Sequence, residues 1–214
     1  MLQADLLRKL GLFVENEFLD AVTCARIIAE TRSAPAEKSI VVGVHAVREM
    51  GGGVDESSRK AWHAQVRDST RAEISDRLER LRPKLERHFD LHLSDCEGPN
   101  FLRYETGGFH VPHRDSRPGS PPGIRRRAVS VIIFLNRAVQ DSAIGDGYGG
   151  GELVMYGLVD DPKWQKFGFP IPATPGLLVA YRSNQMHEIK PIKFGQRYSI
   201  VAWLLQDPPS STLE

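Results

Sequence analysis

The sequence of 214 residues has little of several features that mark whole classes of protein. Its only two cysteines, Cys24 and Cys96, lie far apart in unrelated surroundings, so we expect neither a disulfide framework nor a zinc ribbon. Neither sign of charge is in excess, since there are 28 basic and 27 acidic residues. Nothing in this balance favours binding to a nucleic acid or to a membrane surface.

Long apolar runs and several common functional motifs are also missing. The N-terminal stretch MLQADLLRKLGLF mixes charged with apolar residues, which is typical of neither a signal peptide nor a membrane span. We therefore expect a cytoplasmic protein. There is no Walker loop, no dinucleotide-binding glycine fingerprint and no HExxH motif. Neither cysteine has a catalytic partner nearby in the sequence, so no thiol nucleophile is proposed.

The first 98 residues indicate a helical support region packed on a core. Apolar residues recur at helical spacing over Leu19–Ile28 (Leu19, Val22, Ala25 and Ile28), with Asp20 expected in the first turn. A second, longer amphipathic helix is predicted over Ser69–Phe89 from Ile74, Leu78, Leu81, Leu85 and Phe89. Pro83 should kink or divide that helix. Between the two helices, the run Ile40–Val44 predicts a short strand before a glycine-rich turn.

Residues 99–207 change to short strands separated by glycine and proline, and residues 208–214 are expected to form a flexible tail. Many short strands at regular spacing favour a sandwich or barrel over a parallel sheet. The fold class is therefore mainly β with N-terminal helices (α+β), with a jelly-roll core, and the whole chain should form one structural domain. The predicted strands lie in FLRYETGG, GFHVPHRD, RRRAVSVIIFLNR, GGELVMYG, GLLVAYRS, MHEIKPIK and QRYSIVAWLLQ.

Two long loops interrupt these strands, at residues 116–127 and 137–151. Loops of this length are either functional lids or flexible connectors, and for each loop alone the two interpretations are equally good. The position of the first loop immediately after Asp115 favours a lid. The arginines at its end, Arg125, Arg126 and Arg127, could meet an acidic substrate, although a solvated start of a strand is the simpler interpretation.

The pattern His113-Arg114-Asp115, with His187 far downstream, is the strongest functional signal. On a strand, side chains two residues apart point to the same face, so His113 and Asp115 can bind one metal together. A histidine from another strand would complete a two-His-one-carboxylate triad, which suits non-haem Fe(II) and leaves coordination positions open. One HxD pair is weak by itself, because such pairs occur by chance on surface strands.

Arg197 strengthens this interpretation, because it opens a strand that is too apolar to be exposed. A buried guanidinium needs a partner, and Arg197 with Ser199 two residues later would form a good carboxylate site. Val201 and Trp203 should face the same cavity by the period of two. Tyr104 could donate a further hydrogen bond. The alternative for Arg197 is a structural salt bridge to Glu152 or to another acid.

The remaining histidines carry weaker signals. His110 is near the metal pattern, but its parity differs from that of His113, so it is expected on the other side of the sheet. The histidines of the N-terminal half are expected to be surface or capping residues: His45, His63, His88 and His92.

These residues resemble the prolyl 4-hydroxylase-like branch of the Fe(II)/2-oxoglutarate-dependent dioxygenases. The resemblance covers roughly Phe101–Leu205, in RYETGGFHVPHRD, RAVSVIIFLNR, GGEL and PGLLVAYRSNQMHEIKPIKFGQRYSIVAWL. It implies a double-stranded β-helix core of the cupin-like jelly-roll type. It also implies that His113, Asp115 and His187 bind Fe(II), while Arg197 pairs with the distal carboxylate of 2-oxoglutarate.

Other positions of the chain match or depart from the family pattern. Tyr104 matches a tyrosine near the co-substrate, and Trp203 matches the tryptophan that closes the last core strand. Many members have lysine in place of Arg197, and arginine keeps the cation with different geometry. Many also have tyrosine in place of Phe109 and Phe134, so this pocket is less polar.

The resemblance implies hydroxylation of an amino-acid side chain, prolyl by analogy, in a peptide or protein. Fe(II), 2-oxoglutarate and O2 would be required, with ascorbate as a candidate reductant. Two alternatives remain open. The same chemistry could act on a free amino acid or small metabolite, which a small closed pocket would favour. A non-catalytic jelly-roll module for binding or sensing is the other, although an intact iron and co-substrate set speaks against it. The sequence leaves the target and the oligomeric state open.

Overall fold

A computed structural model of the protein describes residues 2–39, 55–140 and 146–207. The predicted strand at Ile40–Val44, His45 and the predicted tail at 208–214 lie outside these residues. The helices of the described part are α1 (Leu2–Lys9), α2 (Ala21–Ser33), α3 (Asp68–Phe89) and α4 (Pro122–Arg125). The strands are β1 (Phe13–Glu15), β2 (Ala36–Lys38), β3 (Arg59–Lys60), β4 (Trp62–Ala64), β5 (Asp95–Tyr104), β6 (Phe109–His113), β7 (Arg127–Phe134), β8 (Gly149–Gly150), β9 (Leu153–Tyr156), β10 (Gly168–Ile171), β11 (Leu178–Arg182), β12 (His187–Ile189), β13 (Ile192–Phe194) and β14 (Arg197–Leu205).

Two antiparallel sheets form the β core. The large sheet has seven strands in the order β1-β11-β7-β14-β5-β4-β2, and the small sheet has five in the order β10-β9-β12-β6-β3. A short ribbon pairs β13 with β8. The chain thus has the predicted mostly antiparallel architecture. The N-terminal region is less helical than predicted, because β1, β2 and β4 extend the large sheet and β3 extends the small one.

The apolar runs of β7 and β14 are explained by cover on both faces of the large sheet. Along β7, Val131 and Ile133 belong to the core cluster shared with α2 and α3, whereas Ile132 and Phe134 belong to the cluster shared with the small sheet. A strand buried on both faces needs no polar alternation. The space between the two sheets is where the side chains of the candidate site lie.

The two long helices agree with the sequence to different degrees. Helix α3 buries the predicted stripe of Ile74, Leu78, Leu81, Leu85 and Phe89. It also continues through Pro83, so proline does not divide it, and the alternative, a kink at Pro83, stays a prediction. Proline costs a helix interior about 3 kcal/mol through the lost hydrogen bond and the ring clash. The buried stripe on both sides of Pro83 offsets that cost.

Helix α2 turns a different face to the core than predicted. Its buried residues are Cys24, Ile27 and Thr31, whereas the side chain of Val22 is 80% exposed. Asp20 is the N-cap of the helix and not a member of its first turn, and its carboxylate accepts a hydrogen bond from the Thr23 backbone N–H (2.7 Å). This cap fixes where the helix begins and hence which residues face inward. None of the described helices is long and apolar enough to cross a membrane.

Candidate functional site

Three potential metal ligands meet at one end of the small sheet. His113 is the last residue of β6, His187 is the first of the paired strand β12, and the two are register partners. Asp115 lies two residues beyond the end of β6, in the loop rather than on the strand. The ligand atoms of all three residues lie within 4.8 Å of one another. The structure therefore brings the predicted triad together, although a turn and not strand periodicity places Asp115.

Both imidazoles are held with Nε2 towards the centre of the triad. His113 Nδ1 lies 2.9 Å from the carbonyl oxygen of Val111, and His187 Nδ1 lies 3.0 Å from that of Gln185. A carbonyl oxygen can only accept, so each Nδ1 carries the proton and each Nε2 keeps its lone pair. In both cases the carbonyl belongs to the residue two positions earlier. This tautomer is the one that a metal ligand requires.

Asp115 supplies the anionic oxygen of the triad. Its Oδ1 lies 3.6 Å from His113 Nε2, and its Oδ2 lies 3.7 Å from His187 Nε2. The hydroxyl of Ser130 on β7 donates a hydrogen bond to Oδ2 (2.6 Å), and the Ser183 hydroxyl lies 2.9 Å from that of Ser130. Two side chains of the large sheet region therefore orient a ligand that follows a strand of the small one.

The protonation states of the triad favour a cation. Burial raises the pKa of the Asp115 carboxyl, but the neighbouring His187 and His113 and the bond from Ser130 lower that pKa more, and the net direction is down. Burial and the nearby His113 lower the pKa of His187 to about 4. At neutral pH the site thus holds a carboxylate and a neutral imidazole, which are the forms that bind a divalent metal. The donor set fits Fe(II).

Arg197 is a buried cation without an acidic partner among the described residues. Arg197 is only 1% exposed, and its Nη1 donates a hydrogen bond to the Ser199 hydroxyl (2.8 Å). Its Nε and Nη2 have no hydrogen-bond partner in the part of the chain that the structure describes. No salt bridge joins Arg197 to Glu152 or to another acid within the described ranges. Since an unpaired buried charge costs several kcal/mol, the site fits an incoming carboxylate.

A cavity connects this arginine with the metal triad. Its walls include Arg197, Ser199, Val201 and Trp203 of β14, as their period of two predicts. Tyr104 also lines it and is the register partner of Arg197, whose guanidinium carbon lies 5.4 Å from the Tyr104 ring centre. The predicted carboxylate site and the metal triad therefore open into one space between the two sheets.

His110 faces this cavity as well, so the prediction that it lies on the other side of the sheet is wrong. Its ring stacks on that of His113 with centroids 3.5 Å apart. The cause is an irregularity in the pairing of β6 with β12: His113 pairs with His187 and His110 with Ile189, so two residues of β6 oppose one of β12. Such a bulge changes the parity of a strand.

Arg127 also differs from its predicted role as a solvated start of a strand. Its Nε donates to Glu97 Oε2 (2.7 Å), and its guanidinium carbon lies 3.7 Å from the centre of the Trp203 ring. Of the other histidines predicted to be surface or capping residues, His88 and His92 are exposed, whereas His63 lies half-buried on β4.

Sequence reasoning missed several polar groups around the site. Ser130 is the single polar residue in the apolar run AVSVIIFL, and this isolation is a signal that could have identified it. Tyr181, whose hydroxyl lies 3.0 Å from His187 Nε2, and Arg59, which lines the cavity, carry no comparable signal. Tyr148 is buried beside Arg197 and lies in a segment predicted only as a loop.

Comparison with known proteins gives one family match and several relatives. A sequence model described as the 2OG-Fe(II) oxygenase superfamily matches residues 99–205. A PKHD-type hydroxylase of Shewanella baltica is 31% identical over 109 residues, which are 50% of this chain and 42% of that protein. A PKHD-type hydroxylase of Synechococcus elongatus is 31% identical over 117 residues, 53% of this chain and 46% of that protein. The match thus spans less than half the length of these relatives.

Solved structures show similarity of fold over nearly the whole chain. The crystal structure of a Pseudomonas putida prolyl-4-hydroxylase has a TM-score of 0.65 at 22% identity, covering 97% of this chain and 98% of that one. A Trichoplax adhaerens prolyl hydroxylase, solved in complex with a hypoxia inducible factor peptide fragment, has a TM-score of 0.63 at 17% identity, covering 95% and 87%. These likenesses support the predicted jelly-roll core.

Proposed function

Because the chain belongs to the 2OG-Fe(II) oxygenase superfamily, whose members use Fe(II), 2-oxoglutarate and O2, we propose that it hydroxylates an amino-acid side chain, most simply a prolyl ring, in a peptide or protein. The observation that carries this proposal is the metal triad of His113, Asp115 and His187 in one cavity with the unpaired cation Arg197. Bound Fe(II), with 2-oxoglutarate and O2, supplies the oxidising power to insert oxygen into a C–H bond, with succinate and CO2 as co-products.

The residues of this chain would hold the reactants in a fixed arrangement. His113 and His187 offer Nε2, and their Nδ1–H groups stay bonded to backbone carbonyls. Asp115 offers a carboxylate that Ser130 keeps in place. Three ligands on one side leave coordination positions for the other reactants. Arg197 and Ser199 would bind the distal carboxylate of 2-oxoglutarate, with Tyr104 beside it.

The walls of the cavity would exclude water from the reacting centre. Leu102, Ile132, Ile189 and Val201 are apolar residues between or beside the polar groups. A dry surrounding strengthens the attraction between Arg197 and a carboxylate, and protects a reactive oxidant from side reactions. The loop at 116–127, which contains the short helix α4, is a proposed lid. The other predicted lid, at 137–151, lies partly outside the described residues.

The proposed substrate class has support from the relatives. The PKHD-type hydroxylases are 31% identical to the core region, and one structure of the same fold is that of a prolyl hydroxylase with a peptide fragment bound. The second supports a peptide or protein substrate for this chain. Hydroxylation of a free amino acid would be the alternative outcome of a substrate screen.

The first experiment tests the metal and co-substrate together. Fe(II) and 2-oxoglutarate are added without oxygen to the wild type, His187→Ala and Arg197→Ala, and the visible charge-transfer band of the chelate is recorded. We expect a band in the wild type and none in either variant at matched concentrations. Folded wild-type protein that gives no band and retains no iron would contradict the proposal.

A second experiment identifies the substrate class. With Fe(II), 2-oxoglutarate and O2 present, proline-containing peptides and free amino acids are screened by mass spectrometry for the gain of one oxygen atom, and succinate is measured in parallel. We expect oxygen to be gained by a peptide. Ascorbate is proposed as the reductant, and its effect is measured as the number of turnovers with and without it.

The proposal also places the enzyme in the cytoplasm. Both cysteines are free, Cys24 buried and Cys96 half-buried, which is typical of a reducing compartment. Cell fractionation of the native host would test this assignment, and recovery with secreted proteins would contradict it.

A further inference from the structure

Tyr148 is a fully buried residue whose hydroxyl has no described partner. The residue is 0% exposed and belongs to the same core cluster as Tyr104 and Phe134. Its backbone is fixed by two bonds, from its N–H to the carbonyl of Arg137 (3.2 Å) and from the Val139 N–H to its own carbonyl (2.8 Å). Its phenolic oxygen is buried without a hydrogen bond. Buried hydroxyls normally have partners, so this one requires an explanation.

The phenol lies next to the side chain of Arg197. Gly151, at a φ of +65°, separates them: a Cβ built there would lie 3.2 Å from Tyr148 Cε2 and 3.4 Å from Arg197 Cδ. The two side chains therefore flank the same glycine. Burial raises the pKa of Tyr148, and the charge of Arg197 lowers it, with a net rise, so the phenol is protonated and can donate at neutral pH.

Unused donors therefore collect around the guanidinium of Arg197. They are the Nε–H and Nη2–H of Arg197 and the hydroxyl of Tyr148. Phe134 cannot accept from these donors, because it presents an apolar ring whose centre lies 5.3 Å from the guanidinium carbon. A group that satisfies several donors at once needs two acceptor oxygens, and a carboxylate has them in the right plane for a guanidinium.

We propose that Tyr148 is a binding residue for the co-substrate, and that its hydroxyl donates a hydrogen bond to the carboxylate that Arg197 binds. This inference rests on the proposed role of Arg197. It assigns a function to Tyr148, the residue before β8, which would complete the binding site for the distal carboxylate of 2-oxoglutarate.

The test compares two 2-oxo acids that differ in the distal carboxylate. Binding of 2-oxoglutarate and of 2-oxobutyrate to the Mn(II)-loaded protein is measured by calorimetry for the wild type and Tyr148→Phe. We expect Tyr148→Phe to bind 2-oxoglutarate about tenfold more weakly, as the loss of a hydrogen bond to a charged group predicts, and to bind 2-oxobutyrate like the wild type. The Tm of the ligand-free variant should not fall, because the hydroxyl that it lacks has no partner there.

Tyr198→Phe is the matched control. Tyr198 is also buried and follows Arg197 in the sequence, but its hydroxyl donates to Gln196 and lies by Arg32, on the helix-covered face of the large sheet. This variant should lower the Tm and leave the ratio of the two affinities unchanged. The ratio reports the carboxylate contact, whereas a general loss of structure would change both affinities.

The outcomes separate the inference from the proposed function. If Tyr148→Phe keeps the wild-type ratio while Arg197→Met loses it, Tyr148 does not contact the carboxylate and the inference is overturned. If Tyr148→Phe weakens both acids equally, the inference is also overturned. If the wild type itself binds 2-oxoglutarate no more tightly than 2-oxobutyrate, the proposed role of Arg197 is overturned, and the inference about Tyr148 with it.

Discussion

The two histidines of the triad are oriented by carbonyl groups that lie two residues earlier in the chain. Each Nδ1 bonds the carbonyl two residues earlier, so the tautomer is a local property of the sequence around the histidine. Asp115 is different, because its orientation depends on Ser130 of the other sheet. The carboxylate is thus the ligand whose position depends most on a residue distant in sequence.

Loss of the Ser130 hydroxyl should weaken metal binding without unfolding the protein. Removal of an outer partner of a metal ligand typically reduces affinity about 10- to 100-fold. For Ser130→Ala we expect a fall of about tenfold in Mn(II) affinity, measured by electron paramagnetic resonance. Ser33→Ala is the control, since Ser33 is an exposed serine whose hydroxyl bonds to backbone carbonyls of α2. Wild-type affinity in Ser130→Ala would show that Asp115 holds its position alone.

For single residues, the sequence predicts which side chains form the site better than it predicts which other residues surround them. The spacing of His113, Asp115, His187 and Arg197 predicted which side chains share one cavity, and the structure brings them together. Their metal-binding and co-substrate roles stay predictions. Tyr148 could not be assigned, because its relation to Arg197 depends on how the ribbon of β8 and β13 folds back across the sequence.

Among the elements, short strands and irregular pairing limited prediction more than the helices did. The apolar runs of β7 and β14 and the apolar stripe of α3 are long enough for the sequence alone to predict these elements. Strands β1 to β4 have only two or three residues each, too few to show a period. The bulge of β6 reverses the parity of His110, and no local pattern marks it.

The N-terminus of helix α3 is capped by a side chain from helix α2. Its N-cap residue Arg67 makes no side-chain capping bond, but Glu30 of α2 accepts the Arg67 backbone N–H (2.5 Å) and the Thr70 hydroxyl (2.8 Å). The side chain of Glu30 is only 11% exposed, and Arg67 Nη2 lies 3.1 Å from its carboxylate. The two helices are therefore joined by one anion at the positive end of α3.

This bond gives stability a defined pH dependence. Burial raises the pKa of Glu30, but the bonds from Arg67 and Thr70 lower it more, to about 2. The pKa of glutamate in an unfolded chain is about 4.3. The contribution of Glu30 to the free energy of unfolding is therefore complete above that pH and is lost as the pH falls towards 2. We expect Glu30→Gln to lose about 1–2 kcal/mol at pH 7, and the difference from wild type to narrow below about pH 4.

Urea unfolding at pH 7, 4 and 3 measures this effect. Glu37→Gln is the control, because Glu37 is an exposed carboxylate of β2. It should unfold like the wild type at each pH. A constant difference between Glu30→Gln and wild type at all three values would disprove the role of the charge.

Over the whole molecule, the cavity divides its tasks between the two sheets. His113 and His187 lie on strands of the small sheet, whereas Arg197 and Ser199 lie on β14 of the large sheet. A co-substrate bound between the metal and Arg197 would therefore touch both sheets. The division of the chain into residues 1–98 and 99–207 stays a prediction, although strands from the N-terminal part pair with both sheets.

This arrangement predicts that metal and co-substrate stabilise the protein cooperatively. A ligand at a hundred times its Kd stabilises by about 2.7 kcal/mol, which is a Tm rise of about 5–10 °C for a chain of this size. We expect Mn(II) with 2-oxoglutarate to raise the Tm by more than the sum of the two separate shifts. Scanning calorimetry of the wild type and Arg197→Met measures it. The variant should keep the shift by Mn(II) and lose the excess; simple additivity in the wild type would refute the coupling.

The placement of the proposed metal ligands and the proposed carboxylate site on different sheets also has a consequence for divergence between related genes. Substitutions along β14 and β5 would alter which 2-oxo acid is accepted, while the proposed metal ligands on β6, after β6 and on β12 remain intact. A duplicated copy of such a gene can therefore acquire a new co-substrate preference without an intermediate ancestor that has lost its metal. Selection can act on the two properties one at a time.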